Sequence, residues 1–517
     1  MINIAGVSVH LQRLPAPAPI WYGRVTVEDW QTAARAVREA GGRLLALWGG
    51  APSTGATVCA AYALANGLVW LELPLSDGLS NYPDLVPVFA AASRMQRAAA
   101  DLSGIFAEDA IDQRPWINHG AWPTAYFPLR HDTDKTKTFP DALLLDYAFV
   151  RVEGDGVHEI AVGPVHAGVI EPGHFRFSVV GEKVLRLEQR LGYAHKGIEQ
   201  RMTQLPPLQA HQLAGRVSGD STVAYAWAYC MALESAASCD VPPRAASLRA
   251  LMLERERVAN HLGDLGGLGN DAAFAFGLAQ FSRLREDWLR LSKAVFGHRL
   301  MMDCVVPGGV DHDILSSQID LLNSQCDAIE GEVQTLHAVY EAHSGLQDRF
   351  LSTGRVSPAL AAQLGLTGLA GRASGQAWDL RCDHPAPPYD RLQVKMATHL
   401  NGDVAARVTV RFDEVFESLR LIRAILDDLP TGPIGQEVVL PEQPSRGAGW
   451  VEGWRGEVFV ALDLADAACP QRIQRCHLHD PSWQNWPVLA HAIMGNIVAD
   501  FPLINKSFNL SYSGQDL

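Results

Sequence analysis

The pattern of apolar and polar residues predicts that the first region contains both helices and strands, with one helix before and one after a β-hairpin. Val25–Glu39 and Leu85–Asp101 have apolar residues at helical spacing. Between them, Thr54–Leu71 is free of charge, and a stretch of this length raises the possibility of a membrane span. It contains Asn66-Gly67 between two β-prone runs, which is a strong hairpin signal. We therefore expect a buried hairpin, with any membrane attachment made through a partner.

Loop chemistry separates this region from the next one. Gly104–Pro140 is rich in Trp, Pro, His and Asp, and we expect its run Tyr126–Arg130 to be an extended arm that packs on a neighbour. Phe149–Val152 is predicted to begin a new strand. The sequence thus predicts two domains, residues 1–145 and 146–517, as the length of 517 residues also favours.

The second region is predicted to be mainly helical with small sheets. His174–Val180 and Val184–Glu188 are β-prone around a Gly181-Glu182 turn, and Glu457–Leu462 is a further strand. Tyr193–Met202 is predicted to open a long, mostly helical stretch. Helical patterns follow at Val223–Ser238, Ser247–Leu265, Phe281–Leu300, Ile314–Ala342 and Asp413–Leu429. Gly308-Gly309 and Gly371–Gly375 are expected to be loops. The predicted fold class is α+β, with a small N-terminal α/β domain before this helical one.

The net charge and the spacing of the cysteines argue against several classes of function. The formal net charge of −14 argues against a nucleic-acid partner, because phosphates favour a basic surface. Residues Met1–Arg13 lack the pattern of a signal peptide, so we expect no disulfide framework. No two of the eight cysteines are spaced as zinc or iron–sulfur ligands usually are, and Cys469 with Cys476 makes an unpromising pair. We expect buried apolar cysteines and no metal site.

The densest polar cluster is Gly163–Arg176, a Gly- and Pro-rich segment between strand-like runs. It carries His166, Glu171, His174 and Arg176. Two imidazoles, a carboxylate and a guanidinium on one turn suit a proton relay. The alternative is a hydrogen-bonded turn that joins two strands, because structural networks use the same residue types.

A second constellation lies on a predicted helix. Arg257, His261 and Asp264 are spaced at i, i+4 and i+7, which places them on one face. Asp271 shares that face if the helix continues through four glycines. Both a functional site and a buried ion-pair network that ties helices together fit this pattern.

Several segments resemble one family of redox subunits. The segments GPVHAGVIEPGHFRF (163–177), RVANHLGDLGGLGNDAAFAFG (257–277), GRASGQAWDLRCDHP (371–385), and PSWQNW (481–486) with GNIVAD (495–500) resemble the large subunit of formate hydrogenlyase-type membrane-bound nickel–iron hydrogenases. They are similar, more distantly, to the 49-kDa subunit of respiratory complex I. The segments RMQRAAADLSGIF (94–106) and YFPLRHD (126–132) resemble the complex I 30-kDa subunit. The resemblance implies that a 30-kDa-like domain is fused to a hydrogenase-like one.

The chain departs from the hydrogenase pattern at the metal ligands. Hydrogenases of this family hold nickel and iron with two Cys-x-x-Cys motifs. The first is replaced here by Ser218 and Ser221, and the second by Ser511 and Gly514; residues 477–517 contain no cysteine. A serine hydroxyl is a hard oxygen with a far higher pKa than a thiol, so it suits neither nickel nor a low-spin iron centre. The resemblance therefore implies no active nickel–iron hydrogenase.

The chain also departs from the complex I pattern, in which the vacated cavity binds quinone. Glu171-Pro172 stands where the quinone histidine is expected, and Gly219 takes the tyrosine position. His166 and Asp271 match family positions, the latter beside the quinone pocket, and Glu171 matches the proton-transferring glutamate of hydrogenases. The resemblance implies catalytic roles for Glu171, His174 and Asp271, and a cofactor cavity lined by His166, Arg176, Ser218, Ser221 and Ser511.

Two functions follow as expectations from the resemblance. The first is a peripheral-arm oxidoreductase subunit that takes electrons from an iron–sulfur partner, passes them to a quinone-like acceptor and couples this to ion translocation. The second is a non-catalytic subunit that couples the same partners mechanically. Either way, this chain is expected to bind no metal or cluster of its own. Its expected partners are a complex I 20-kDa-like subunit and antiporter-type membrane subunits, which hold it on the cytoplasmic side of the inner membrane.

Overall fold

The computed structural model describes residues 9–50, 55–75, 80–130, 133–134, 136–141, 144–166, 170–465 and 472–517. The N-terminal elements form a five-stranded sheet in the order β1-β2-β5-β4-β3, a parallel pair β6-β7, and two helices. Their bounds are β1 (Gln12–Arg13), β2 (Ile20–Arg24), α1 (Val27–Glu39), β3 (Arg43–Gly49), β4 (Thr57–Leu64), β5 (Gly67–Pro74), β6 (Asn81–Pro83), α2 (Ala92–Ser103) and β7 (Phe106–Glu108).

The predicted hairpin around Asn66-Gly67 is confirmed. Strands β4 and β5 pair antiparallel from Thr57 opposite Pro74 to Leu64 opposite Gly67, and both are almost wholly buried. In the part of the chain that the structure describes, no helix has the length and apolar character needed to cross a bilayer. One side of the sheet packs on the rest of the chain, where Trp48 and Trp70 meet Phe459 and Trp450.

Helix α2 begins later than predicted. Residues 85–91 form turns instead of helix, because Pro87 interrupts the pattern and the Leu85 N–H is bound by the Gln96 side chain, 2.9 Å away. The polar side of α2 does not face solvent. Arg97 donates to the Arg114 carbonyl at 2.7 Å, and Asp101 accepts the Trp116 N–H at 2.6 Å.

The segment after β7 agrees with the sequence predictions only in part. The Tyr126–Arg130 arm packs on its own chain, where the Leu129 N–H donates to the Leu102 carbonyl at 2.9 Å. The predicted strand at Phe149–Val152 is wrong. That segment forms no strand, and the Val150 N–H donates instead to the Glu188 side chain at 2.8 Å.

The second domain begins with a three-stranded sheet and continues as packed helices. The bounds are β8 (Val157–Val162), β9 (His174–Val180), β10 (Lys183–Arg190), α3 (Ile198–Met202), α4 (His211–Ala214), α5 (Thr222–Ala237), α6 (Pro243–Asp271), α7 (Ala275–Phe296), β11 (Val305–Val306), β12 (Gly309–Val310), α8 (Ser316–Ala342), α9 (Ser344–Phe350), α10 (Pro358–Leu364), α11 (Gly368–Arg372), α12 (Leu380–Asp383), α13 (Tyr389–Leu392) and α14 (Val404–Asp427). A sheet and three helices follow: β13 (Ser445–Glu452), β14 (Glu457–Leu464), β15 (Ile473–His479), α15 (Ser482–Ala492), α16 (Phe501–Phe508) and α17 (Tyr512–Asp516).

This architecture confirms the α+β class and most predicted elements of the second domain. The β9–β10 hairpin turns at Gly181-Glu182 as predicted. The glycine-containing helix α6 continues to Asp271 because neighbouring side chains fill the space beside its glycines. The predicted loops at Gly308-Gly309 and Gly371–Gly375 are partly wrong: Gly309 starts β12, and Gly371 lies in α11.

Candidate functional site

The serines predicted to stand at the thiolate positions meet in space. Ser218 lies just before α5, and Ser511 caps the C-terminal helix α17, whose Gly514 N–H donates to the Ser511 hydroxyl at 2.9 Å. The Ser511 Oγ donates to the Ser218 Oγ at 3.2 Å. Ser218 is 7% exposed and Ser511 3% exposed. Two segments almost 300 residues apart therefore form one buried polar site, which we call the serine site: Ser218, Ser221, Ser511 and Gly514.

An ion pair within the chain closes the serine site. Arg455 donates to Asp220 Oδ1 at 2.9 Å and to Ser221 Oγ at 3.2 Å, while Ser218 donates to Asp220 Oδ1 at 2.5 Å. The Trp454 indole also donates to Ser221 at 3.1 Å. Burial raises the pKa of Asp220, but Arg455 and the Ser218 hydroxyl outweigh burial and hold this pKa at about 2. The serine hydroxyls thus serve a charged hydrogen-bond network of the chain itself.

Asp480 occupies the space beside Gly514. A Cβ placed on Gly514 would lie 2.5 Å from Asp480 Oδ2 and 2.9 Å from Ser511 Oγ. Asp480 is itself fixed, because it accepts the Tyr225 hydroxyl and the Ser482 N–H, both at 2.8 Å. A side chain at position 514 therefore overlaps a carboxylate that cannot easily move.

Gly514→Ala is expected to lower the free energy of unfolding by about 1–3 kcal/mol, the usual cost of overpacking a filled site. Its control is Gly219→Ala, since a Cβ on Gly219 would meet no atom within 4 Å. We expect the control to change stability by less than about 1 kcal/mol. Urea unfolding of both variants checks this, and equal stability of the two would contradict the packing described here.

The donor atoms of the serine site do not fit a nickel–iron centre. The site offers hydroxyl and carboxylate oxygens, and no cysteine lies within residues 210–229 or 477–517. Thiolates are the ligands that such a centre requires, whereas these hard oxygens suit magnesium or calcium. Across the residues the structure describes, moreover, no three His, Cys, Asp or Glu side chains group as potential metal ligands. Cys469 lies outside those residues.

The Glu171 carboxylate borders the serine site from the β8–β9 connection. Its Oε2 accepts the Ser513 N–H at 3.1 Å, two residues after Ser511, while the residue as a whole is exposed. Lys196 donates at 3.2 Å to the carbonyl of Val217, the residue that directly precedes Ser218. Burial raises the pKa of Asp516 to about 7, although the Ala194 and Gly192 N–H groups oppose the shift. Acidic and basic groups therefore extend from the surface at Glu171 along α17.

The histidines near Glu171 hold the turn. The His166 Nε2 contacts the Gly173 carbonyl at 2.8 Å, and the His174 Nδ1 contacts the Gly163 carbonyl at 3.1 Å. Arg176 pairs with Glu159 at 3.1 Å on the outer side of the sheet. This geometry supports the hydrogen-bonded turn between β8 and β9, although residues 167–169 of the predicted cluster lie outside the described residues. His174 Nε2 is buried without a partner, so one imidazole keeps a nitrogen available.

Asp271 stands apart from the serine site. It ends α6 in an exposed position and makes no hydrogen bond or ion pair with Ser218, Ser221 or Ser511. Burial of its carboxyl raises its pKa, and Lys506 opposes this shift. Lys506 pairs instead with Asp264, at 3.3 Å. Asp271 thus makes no direct polar contact with these three serines.

The predicted Arg257, His261 and Asp264 face is a buried ion-pair network. His261 Nε2 lies 2.7 Å from Glu414, and Asp264 pairs with Arg411 at 2.9 Å. Arg257 donates to the Gly453 carbonyl at 2.9 Å. These contacts join α6 to α14 and to the end of β13, so the structural alternative accounts for this constellation.

The sequence interpretation missed Asp220 and Arg455. Asp220 lies inside the Ser218–Ser221 segment, where a carboxylate between two serines is a signal for a polar site. Arg455 is separated from Asp220 by 235 positions and carries no motif. Only the fold shows that the two residues pair.

Two family descriptions match the chain. Residues 24–139 match "Respiratory-chain NADH dehydrogenase, 30 Kd subunit", and residues 268–448 match "Respiratory-chain NADH dehydrogenase, 49 Kd subunit". The fold is similar to a chain of the membrane-bound sulfane sulfur reductase, an archaeal respiratory membrane complex. That likeness has a TM-score of 0.66 at 24% identity and covers 70% of this chain and 99% of that one.

Curated relatives extend over most of the chain. Formate hydrogenlyase subunit 5 of Escherichia coli (strain K12) is 31% identical over 84% of this chain and 77% of its own. Hydrogenase-4 component G of the same organism is 32% identical over 84% and 76%. The C/D subunit of NADH-quinone oxidoreductase from Bacteroides thetaiotaomicron is 28% identical over 76% and 77%. The chain therefore belongs to the family that contains formate hydrogenlyase subunit 5 and these C/D subunits, with a 30-kDa-type domain fused to a 49-kDa-type domain.

Proposed function

We propose that this chain is the peripheral-arm subunit of a membrane-bound, complex-I-like redox complex and works without a nickel–iron centre. It takes part in electron transfer from an iron–sulfur partner to a quinone-like acceptor, and this transfer is coupled to ion translocation. The observation that carries the proposal is the closed serine site. The resemblance to hydrogenases predicts metal ligands at this place. The site contains instead the Ser218–Ser511 contact and the Arg455–Asp220 ion pair.

The absence of a nickel–iron centre rests on chemistry at four positions. Ser218, Ser221 and Ser511 present hydroxyls that are already engaged in hydrogen bonds. Position 514 presents no side chain, and Asp480 fills the adjacent space. None of these groups is a thiolate, so the four positions cannot supply the ligands of a nickel centre that activates hydrogen.

The proton chemistry is assigned to Glu171 and its surroundings. Reduction of a quinone to a quinol consumes two electrons and two protons. Glu171 reaches solvent and also accepts the Ser513 N–H at the edge of the serine site. Asp516, with its pKa raised to about 7 by burial, can hold or release a proton near neutral pH. These two carboxylates are the proton-exchanging groups that we assign at α17, Glu171 against its first turn and Asp516 at its end.

The acceptor is proposed to bind at the exposed surface beside the serine site. Gly219 is exposed, and a Cβ on it would meet no atom within 4 Å, so there is open space next to Ser218. Glu171 borders the same site from the opposite segment. An iron–sulfur subunit seated over this surface would complete the pocket and deliver the electrons. His166, His174 and Arg176 then act by holding the Glu171 turn, and Asp271 acts outside this pocket.

The remaining proposals concern assembly. The relatives are named as subunits or components of larger assemblies, which supports a 20-kDa-like iron–sulfur partner and antiporter-type membrane subunits for this chain. Such partners would hold it peripherally on the cytoplasmic side of the inner membrane. The division at residues 145 and 146 remains a proposal for the domain boundary.

A second candidate is a non-catalytic coupling role. It is favoured by the way in which the chain fills its own pocket, since Arg455 and Asp480 occupy space that a ligand would otherwise take. In this alternative, the subunit transmits conformational change between the iron–sulfur partner and the membrane arm. Its polar residues then stabilise the fold without exchanging protons with an acceptor.

Turnover of the purified complex tests the two candidates. The complex is reduced with dithionite-reduced methyl viologen, and a short-chain quinone is supplied as acceptor. We expect quinol formation that quinone-site inhibitors block, and no hydrogen. If the intact complex forms no quinol, the first candidate fails and the coupling candidate stands; hydrogen evolution by this subunit would overturn both.

A further inference from the structure

A cavity of about 420 Å³ lies between α2, β10 and α15, and none of the serine-site residues lines it. Its wall combines residues of both domains. Ligand cavities usually begin at about 300 Å³ and often lie between domains, so this one is large enough for a small organic molecule. The proposed redox function does not use it.

The charged groups of the cavity leave positive charge uncompensated. Four arginines, Arg94, Arg97, Arg114 and Arg186, line the wall with two carboxylates, Asp112 and Glu188. Both carboxylates are already engaged. Arg114 binds Asp112 and Glu188, each at 2.7 Å, and Arg97 binds Asp112 at 3.0 Å.

Arg94 and Arg186 are the two arginines of this wall without an acidic partner. Within the described residues, no carboxylate lies at salt-bridge distance from either guanidinium. Burial, and after it the neighbouring Arg97, lower the pKa of Arg94 to about 9, while Glu188 and Asp112 oppose this shift. A bound anion would supply the missing charge.

Buried donors without acceptors mark the same wall. Gln189 is 2% exposed, and its Oε1 accepts Arg94 Nη2 at 2.8 Å, but its Nε2 has no partner. Arg94 Nη1 and Arg186 Nε are also buried without partners. Native proteins rarely leave buried donors unpaired, because each costs about 1–3 kcal/mol. These three donors belong to side chains that line one cavity, so its wall has more donors than acceptors.

We propose that this cavity binds the phosphate group of an organic molecule. A phosphate carries a charge of about −1.5 to −2 with three acceptor oxygens, which matches the charge of the two arginines that lack an acidic partner. A carboxylate would neutralise only one of the arginines. Leu185, Pro487 and Met494 complete the wall and offer apolar contact to the organic part. Soluble phosphate esters and anionic lipid headgroups share this chemistry.

The probe is inorganic phosphate, titrated calorimetrically into the purified complex at constant ionic strength, because salt would otherwise screen the charges. Arg94→Gln and Arg186→Gln should each weaken phosphate binding about tenfold or more, as loss of a charge-assisted hydrogen bond implies. The matched control is Arg35→Gln, which removes the same charge from an exposed position on α1. It should bind phosphate as the unmodified complex does.

Two results would overturn the proposal: no phosphate binding by the unmodified complex, or equal binding by all three variants. Using Arg186 as well as Arg94 guards against a folding defect, since Arg94 also stacks on Trp116 at 4.5 Å. Vesicles of phosphatidylcholine with and without phosphatidylglycerol identify the source. Displacement of phosphate only by the anionic vesicles assigns a lipid headgroup, and no displacement assigns a soluble phosphate ester.

Discussion

Replacing Arg372 with methionine is expected to lower the free energy of unfolding by about 3–5 kcal/mol, the usual cost of removing one partner from a buried ion pair. Arg372 is fully buried, and it donates to Glu414 and to Glu452, in each case at 2.8 Å. Both carboxylates are at most 2% exposed. The variant removes the guanidinium that bridges these two buried carboxylates; Glu414 keeps His261 at 2.7 Å, whereas Glu452 loses its arginine partner. The network joins α11, α14 and β13.

The matched control for Arg372→Met is Arg290→Met. Arg290 pairs with Glu286 on the exposed face of α7, with 74% and 40% of the two side chains exposed. Its loss should change stability by less than about 1 kcal/mol. Urea unfolding followed by tryptophan fluorescence measures both variants. An Arg372→Met midpoint equal to that of the control would contradict the network's role.

The loss in Arg372→Met should be larger at pH 8 than at pH 5.5. Burial and Asp379 already raise the pKa of Glu452 to about 7 in the folded protein, and removing the guanidinium raises this pKa further. A carboxyl with a raised folded-state pKa contributes stability that is lost as pH rises through that pKa. The additional decrease in the free energy of unfolding that Glu452 causes in the variant therefore begins near pH 7. Urea unfolding of the variant and the unmodified protein at both pH values measures it.

Replacing Glu171 with glutamine is expected to slow quinone reduction by the purified complex about 100-fold or more, the range for loss of a general acid–base group. Glutamine preserves the acceptor oxygen for the Ser513 N–H but cannot carry a proton. Assembly should therefore survive while turnover falls. Steady-state quinol formation over a pH series provides the measurement, since loss of a proton-transferring group also changes the pH profile.

The control for Glu171→Gln is Glu182→Gln. Glu182 lies in the exposed β9–β10 turn, so its replacement removes the same charge near the same sheet. It should retain full turnover. If Glu171→Gln retains turnover within about twofold in an intact complex, Glu171 is not a proton-transferring group, and the coupling candidate gains support.

Local sequence signals predicted the elements whose structure depends on neighbouring residues. Asn66-Gly67 and Gly181-Glu182 marked two hairpins, because their backbone preferences suit tight turns. The long helices followed from apolar spacing. The predictions for the start of α2 and for Phe149–Val152 were wrong, because Pro87 and the contact between Val150 and Glu188 override local preference there.

The candidate site could be predicted only where a family pattern marked its residues. Ser218 and Ser511 were singled out together, and their hydroxyls lie 3.2 Å apart. Arg455 and Asp480 could not be predicted, because their contacts with Asp220 and Gly514 depend on how distant segments pack. The same limit applies to the arginine-lined cavity, whose wall comes from both domains.

Nickel content is the most direct test of a redox subunit that works without a nickel–iron centre. The complex is purified from cells grown with added nickel, and its nickel is measured by inductively coupled plasma mass spectrometry relative to this chain. The proposal expects less than about 0.1 nickel atom per chain, because hydroxyl oxygens do not retain nickel against competing ligands. About one nickel atom per chain, lost on chelation together with activity, would contradict it.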